Sequence, residues 1–392
     1  MRVLFLTGEY PPMQGGVGDY TWHLGAALGK LGVDVDVLTS HAAGPAHLLP
    51  QDAGAIHADV VSWGWGLARR VRALAETIEA DVLHIQYQSA AFGLHPAINL
   101  LPRALRKARW PQRVAVTFHD LRVPYVFPKA GALRWHANLE LARHSDLVVV
   151  TNAEDHETLR SYPELAQKTI EVPIGSNIQP EPQADFDRSE HRAQYGVGPD
   201  DLLLCYFGFL NASKGGEELV LATARLARAG VPVYLLMIGG QVGASDPTNY
   251  AYLQRVQALI VEQGIENRVR WTGFTASRQV SANFLASDIA VLPYRDGASF
   301  RRGSLMAAIA HGLPIVSTQP AVPIPQIHHG DNLWLVPAQA PEALADAIKT
   351  LWSDPAMCQR LSEGARHLAE NFTWDNVARR NLEAYCEFIQ PS

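Results

Sequence analysis

Cysteine, long apolar runs and surplus positive charge are all scarce in this sequence, and each scarcity removes a class of function. Cys205, Cys358 and Cys386 are the only cysteines in 392 residues. They are too widely spaced for a disulfide framework or a zinc motif, and buried thiols in a reducing cytosol are the expectation. No run reaches the roughly 18–20 apolar residues of a membrane span. Val3–Thr7 is too short for the core of a secretory signal, and the turn at Pro11-Pro12 follows at once. A formal net charge of −6 offers nothing to nucleic acid. Low-complexity tracts are also missing, so the chain should be globular, and its length suits two domains better than one core.

What is present is alternation of strand and helix. Val3–Thr7 reads as a strand, followed by a loop with Gly15-Gly16-Val17-Gly18, a helix over Val17–Leu31 and a strand at Val33–Thr39. Further strands are expected at Asp81–Gln86, Val114–His119, Asp146–Thr151 and Thr169–Pro173. Near Ser176–Asp201 the chain turns polar and irregular, then alternation restarts with Leu202–Phe207, the loop Gly208–Lys214, a helix over Gly216–Ala229 and the strand Val233–Ile238. Strands at Val269–Thr272, Asp288–Pro293, Pro314–Ser317 and Leu333–Val336 complete the second set. The pattern predicts α/β architecture with two doubly wound, Rossmann-like domains facing a central cleft. Residues 1–176 form the first, with a final helix at 374–390 packing back on it; 177–200 form a linker, and 201–373 the second domain.

The most informative stretch is Leu292–Thr318, LPYRDGASFRRGSLMAAIAHGLPIVST. It reads as strand end, polar loop, helix and strand. Ser304 is expected to cap the helix, and the free amides there, with Gly303, Arg301 and Arg302, suit a phosphate. The run Ala308–Val316 resembles the A-M-A-x-G-x-P-V-V end of the donor-binding segment of family 4 glycosyltransferases (glycosyl transferases group 1). Loop GFLNASKGG is similar to that family's G-R-L-x-x-x-K-G, with Lys214 at the lysine and Phe209 in place of the arginine. The E-x7-E pair of the family is replaced by Ser299 and Ala307.

The resemblance implies a GT-B fold and a retaining transfer of a sugar from a nucleotide-diphosphate sugar, UDP- or GDP-linked, to a hydroxyl of a carbohydrate, lipid-linked or small-molecule acceptor. It implies no cofactor and no metal, with catalytic roles for His119, Lys214 and Arg301. Donor contacts fall on Gly15, Gly16, Gly208, Lys214, Gly273, Phe274, Ser299, Arg301, Arg302, Gly303 and Ser304. One of the two arginines would replace the charge missing at Phe209. For the glycine loop the competing reading is a tight turn needed for packing; for the arginines it is a solvated loop, and for His119 a satisfied structural histidine. Asp120 could cap the segment after His119, and Asp296-Gly297 reads as a turn, where Asp296 could also orient an acceptor hydroxyl or pair with Arg295.

Asp34-x-Asp36 mimics a metal-binding D-x-D, but an alternating strand places both carboxylates on one solvated face. Arg103, Arg106, Lys107, Arg109 and Arg113, with Leu101, Leu105 and Trp110, offer a peripheral membrane contact on the inner face of the membrane. A solvated helix face over a buried leucine stripe is the simpler reading. The expected location is cytoplasmic. Loss of both glutamates also admits a catalytically degenerate sugar-nucleotide-binding protein, and the fold admits a sugar-nucleotide epimerase. With protein cations and no acidic metal site in the sequence, turnover is expected to survive chelation; loss with EDTA and recovery with magnesium or manganese would contradict this.

Overall fold

Runs such as Val3–Leu6 and Leu202–Cys205 are apolar without interruption, which suits strands covered on both faces. The computed structural model describes residues 1–13, 15–44, 54–119, 121, 131–181, 184–240 and 247–389. It divides into two units, Met1–Asn177 with Thr373–Ser392, and Ile178–Phe372.

Unit 1 begins β1 (Arg2–Thr7), α1 (Gly16–Lys30), β2 (Asp34–Ser40), β3 (Ile56–Val60), α2 (Leu67–Thr77) and β4 (Val82–Tyr87). It continues with α3 (Ala97–Lys107), β5 (Arg113–Phe118), α4 (Gly131–His144), β6 (Leu147–Val150), α5 (Ala153–Arg160), α6 (Pro163–Ala166) and β7 (Thr169–Glu171). Unit 2 begins α7 (Arg188–Ala193), β8 (Leu202–Phe207), α8 (Gly216–Arg228), β9 (Val233–Ile238), α9 (Pro247–Glu262) and β10 (Val269–Trp271). There follow α10 (Ser277–Ala286), β11 (Ile289–Leu292), α11 (Gly303–Ala310), β12 (Ile315–Thr318), β13 (Trp334–Val336), α12 (Pro341–Ser353) and α13 (Pro355–Ala369). The last helix, α14 (Trp374–Ile389), belongs to unit 1.

Both sheets are parallel, ordered β3-β2-β1-β4-β5-β6-β7 and β10-β9-β8-β11-β12-β13. Strand order therefore reverses beside β1 and β4 in one unit and beside β8 and β11 in the other. At such a reversal, helices leave to opposite faces and a crevice opens at the carboxyl ends of the strands.

Side chains of β1 alternate between two cores. Leu4 and Leu6 join one with Leu83, Ile85, Val116 and the α3 leucines, whereas Val3 and Phe5 join the other with α1 and α14. Without α14 that second face would be partly bare. Its Tyr385 hydroxyl reaches the buried His84 of β4 at Nδ1, while His84 Nε2 meets Thr117 Oγ1 at 2.7 Å. Burial, with His119 close by, lowers the His84 pKa to about 3, so the ring is neutral. Trp374 stacks on His23 at 4.9 Å and donates from Nε1 to the Ser176 carbonyl at 2.8 Å. A Cβ on Gly175 would sit 2.7 Å from the Trp374 ring.

Several sequence expectations are corrected. Part of the stretch expected as linker is α7, whose Arg192 is 2% exposed and donates to Ala286 O, Asp288 and Asp201 O. Five hydrogen bonds from Arg192 to four acceptors give that segment a fixed seat in unit 2, two of the acceptors being Gly198 O and Asp201 O of the same stretch. Strand β3 was not foreseen, and it changes the D-x-D pair. Asp34 is exposed, but Asp36 is 5% exposed and accepts from Ala55 N at 2.9 Å, with His57 at 3.3 Å. Burial alone would raise the Asp36 pKa; His57, the Ala55 amide and Arg2 together hold it below the usual range. Among the described residues no group of three or more His, Cys, Asp or Glu could hold a metal.

Of the three thiols only Cys205 is buried; Cys358 is half-buried and Cys386 exposed. The basic cluster is largely paired: Arg103 with Glu140 at 2.8 Å, Arg106 with Asp146 at 2.8 Å and Arg113 with Asp146 at 3.7 Å. Its Leu101, Leu105 and Trp110 lie in the core rather than on a surface that lipid could reach. Among the described residues no helix is long and apolar enough to cross a membrane.

Tyr385→Phe leaves His84 Nδ1 without its partner in a dry core. The expected cost is about 1–3 kcal/mol of stability, read as a lower denaturant midpoint at unchanged slope.

Candidate active site

In unit 2 the loops after β8 and β11 are locked together. Gly208 follows β8 with φ 114°, and Gly215, at φ 71°, leaves no room for a Cβ against the Pro293 carbonyl. The Arg295 amide donates to Ser213 O at 2.8 Å. Between these glycines, Lys214 folds back over the first of them: a Cβ on Gly208 would lie 2.8 Å from Lys214 Nζ and 4.0 Å from Ser304 Cβ. The sequence-predicted residues Gly208, Lys214 and Ser304 are thus brought together. Burial, and then the nearby Arg302, lower the Lys214 pKa to about 8. Among the described residues Nζ has no hydrogen-bond or ion-pair partner.

Arg302 stands beside this lysine. It is ion-paired with Asp296, reaches Ser213 Oγ at 3.4 Å and lies 5.0 Å from the Tyr294 ring centroid. Asp296-Gly297 is the turn expected, with Gly297 at φ 87°, and the alternative pairing of Asp296 with Arg295 is not found: Arg295 bonds to Glu217 at 2.6 Å and Glu218 at 2.8 Å. Ser304 does not cap α11. That place belongs to Arg302, while Ser304 Oγ and Tyr294 OH bond at 2.7 Å. Amides of Leu305 and Met306 are taken by Arg302 O, so those of Gly303 and Ser304 remain without an acceptor among the described residues. Arg301 has interactions of its own, and its amide donates to Ser299 Oγ at 3.4 Å. Ala307 is fully buried inside α11.

Gly239 and Gly273 pair as an isolated bridge, and Gly239 N donates to Thr272 Oγ1 at 3.0 Å. Phe209, 42% exposed, covers Gly240, whose Cβ would lie 2.7 Å from its ring. Phe274, 68% exposed, projects from the next turn.

Unit 1 differs in charge. The first amides of α1, expected to meet a ligand anion through Gly15 and Gly16, already hold a carboxylate. Glu9 Oε1 accepts from Val17 N at 3.0 Å and Gly18 N at 3.3 Å. A Cβ on Gly15 would displace this carboxylate, whereas Gly16 faces open space. Asp19 follows in the same turn, its pKa raised to about 6 by burial and by Glu9. His119 binds Gln86 Oε1 through Nε2 at 2.9 Å, with Tyr20 edge-on at 4.6 Å. Burial lowers its pKa to about 3. The ring is neutral, Nε2 carries the proton, and Nδ1 is left as an acceptor. Asp120 lies outside the described residues.

Sequence reasoning missed Glu9, Gln86, Asp19 and Tyr294. Glu9 follows β1 directly and precedes a glycine run, and an acid at that place is the signal that it could satisfy the helix itself.

Residues 187–368 match the family model of Glycosyl transferases group 1, and 15–175 that of the Glycosyl transferase 4-like domain. The D-inositol 3-phosphate glycosyltransferase of Streptomyces bingchenggensis is 25% identical over 62% of this chain and 53% of its own. The chain thus spans about half the length of that relative. The GDP-mannose-dependent alpha-(1-6)-phosphatidylinositol dimannoside mannosyltransferase of Mycobacterium tuberculosis is 26% identical over 97% of this chain and 95% of its own. Among solved structures, Alr3699/HepE of Anabaena in complex with UDP superposes with a TM-score of 0.77 at 21% identity, covering 99% of this chain and 100% of that one. That likeness establishes a shared fold.

A lysine whose pKa lies near 8 loses its charge within an accessible range. Lys214 is charged below that value and neutral above it, so binding of a nucleoside diphosphate should weaken as pH rises from 7 to 9.5. Calorimetric titration with UDP and GDP measures this, and Lys214→Arg, which stays charged, should flatten the decline.

Proposed function

The chain belongs to the glycosyl transferases group 1 family, and on that premise we propose that it moves a hexosyl group from a nucleotide-diphosphate sugar to an acceptor hydroxyl, with retention of configuration. The observation that carries the reading is Lys214: a partly desolvated ammonium without a carboxylate partner, beside Arg302 and the free amides of α11. Desolvated cations are costly to hold together, and a diphosphate repays that cost. Arg302 supplies the charge that Phe209 lacks, and Asp296 and Tyr294 hold it in place.

Charge on the leaving diphosphate grows as the glycosidic bond breaks. Lys214, Arg302 and the amides of Gly303 and Ser304 stabilise that charge more than the ground state, which lowers the barrier. The departing oxygen then assists the acceptor hydroxyl on the same face, so neither a carboxylate nucleophile nor a metal is required. Through Nδ1, neutral His119 accepts a hydrogen bond from a hydroxyl of the transferred sugar and orients it. Gly273 and Phe274 serve the base. The Mycobacterium relative is named for GDP-mannose and the Anabaena protein carries UDP, so both bases are to be tried. The acceptor is a carbohydrate, a lipid-linked glycan or a small molecule, met in the cytoplasm.

A second reading, a sugar-nucleotide binder without turnover, is favoured by one observation: Ala307 offers no side chain to the ribose hydroxyls and is sealed in α11. Incubation with UDP-hexoses and GDP-hexoses separates the two, since the transferase releases nucleoside diphosphate slowly to water and the binder releases none.

Lys214→Ala and Arg302→Ala should each weaken donor binding roughly tenfold or more, as losing one charged hydrogen bond implies. Arg301→Ala tests the alternative arginine. Lys214→Ala should also lower turnover. If the Lys214 and both arginine variants bind donor as the parent does, the assignment of this loop to the diphosphate is wrong.

A further inference from the structure

Unit 1 holds a cavity of about 240 Å³ beyond the carboxyl end of β4, between α3 and α4. Its floor is polar. Tyr87, Asn99 and Asn138 are 2%, 5% and 8% exposed. Asn99 Nδ2 donates to Tyr87 OH at 2.8 Å, and Tyr87 OH donates to Asn138 Oδ1 at 2.9 Å. This chain consumes one end of each amide. Asn99 Oδ1 and Asn138 Nδ2 have no partner among the described residues, yet both residues line the cavity. Neither atom is sealed from solvent, so an acceptor and a donor stand open to the cavity, where a ligand can take the place of water.

The walls are of another kind. Ile98 and Ala137 flank the floor, and Leu94 and Leu133, 45% and 75% exposed, form the rim. Leu94 is held at φ 58°, a conformation a leucine seldom adopts. An apolar mouth over one donor and one acceptor matches a group that both donates and accepts. Swapping both amides together leaves that demand unchanged in kind, whereas swapping one alone would set like atoms against each other across the 3.5 Å contact between Asn99 and Asn138.

We propose that this cavity binds an uncharged, largely apolar molecule through a single hydroxyl group, as an alcohol or a phenol. On the glycosyltransferase reading, on which this role rests, the ligand is the acceptor. Tyr87 O accepts the His119 amide at 3.1 Å, so the cavity floor adjoins the strand end that carries His119. Arg134 also lines the cavity, which makes an anion the competing occupant.

The test uses phenol, fluorobenzene and benzoate as probes of the full chain, with dissociation constants from ligand-observed NMR. Phenol should bind roughly fivefold or more tightly than fluorobenzene, the effect of one or two hydrogen bonds. Asn99→Ala and Asn138→Ala should erase that preference. Ala137→Phe, on a half-buried helix position, should exclude both rings and serves even if the asparagine variants do not fold. Equal binding of phenol and fluorobenzene, tighter binding of benzoate, or unchanged binding to Ala137→Phe would overturn the proposal. Titration of the same samples with UDP and GDP reports the donor reading separately.

Discussion

A parallel sheet covered on both faces leaves its polar chemistry nowhere but its ends. In unit 1 apolar side chains alternate into two cores, and the groups that can meet a ligand collect where the strands stop. In unit 2 the reversal beside β8 and β11 gathers Gly208, Lys214, Arg302 and Ser304. In unit 1 the reversal beside β1 and β4 gathers Glu9, Gln86, Tyr87 and His119.

The two strand-end sites carry opposite charge, and the difference has a local cause. Unit 2 leaves the amides of α11 open and places two cations by them, one of which already has a carboxylate partner. Unit 1 fills the corresponding amides of α1 with its own Glu9 and adds Asp19 in the same turn. A polyanion is therefore stabilised by the one and repelled by the other. His119, made neutral by burial, contributes hydrogen bonding without charge.

Closing the second face of the unit 1 sheet depends on residues far along the chain, Tyr385 lying 301 positions from His84. Tyr385 satisfies His84, and Trp374 is wedged against His23 and Gly175. Buried polar groups such as His84 are tolerated only when their partners are supplied. The returning helix is therefore part of the N-terminal core, whatever its place in the chain.

The sequence by itself determined the class of fold, because strand and helix periodicities and the glycines between them are local. It also determined the family, through A-I-A-H-G-L-P-I-V and the lysine of GFLNASKGG. Tertiary structure decided which charges remain available. Asp296 lies within reach of both Arg295 and Arg302 in the chain, and only packing decides for Arg302; nothing near Arg103 says that Glu140 neutralises it. Asp36 reads as solvated until β3, a strand with weak apolar alternation, is laid against it. Ser304 reads as a cap, yet the loop geometry gives that place to Arg302 and turns the hydroxyl toward Tyr294. Secondary structure follows from neighbours within a few residues; the charge state and partners of a side chain follow from what packing brings beside it across tens or hundreds of residues.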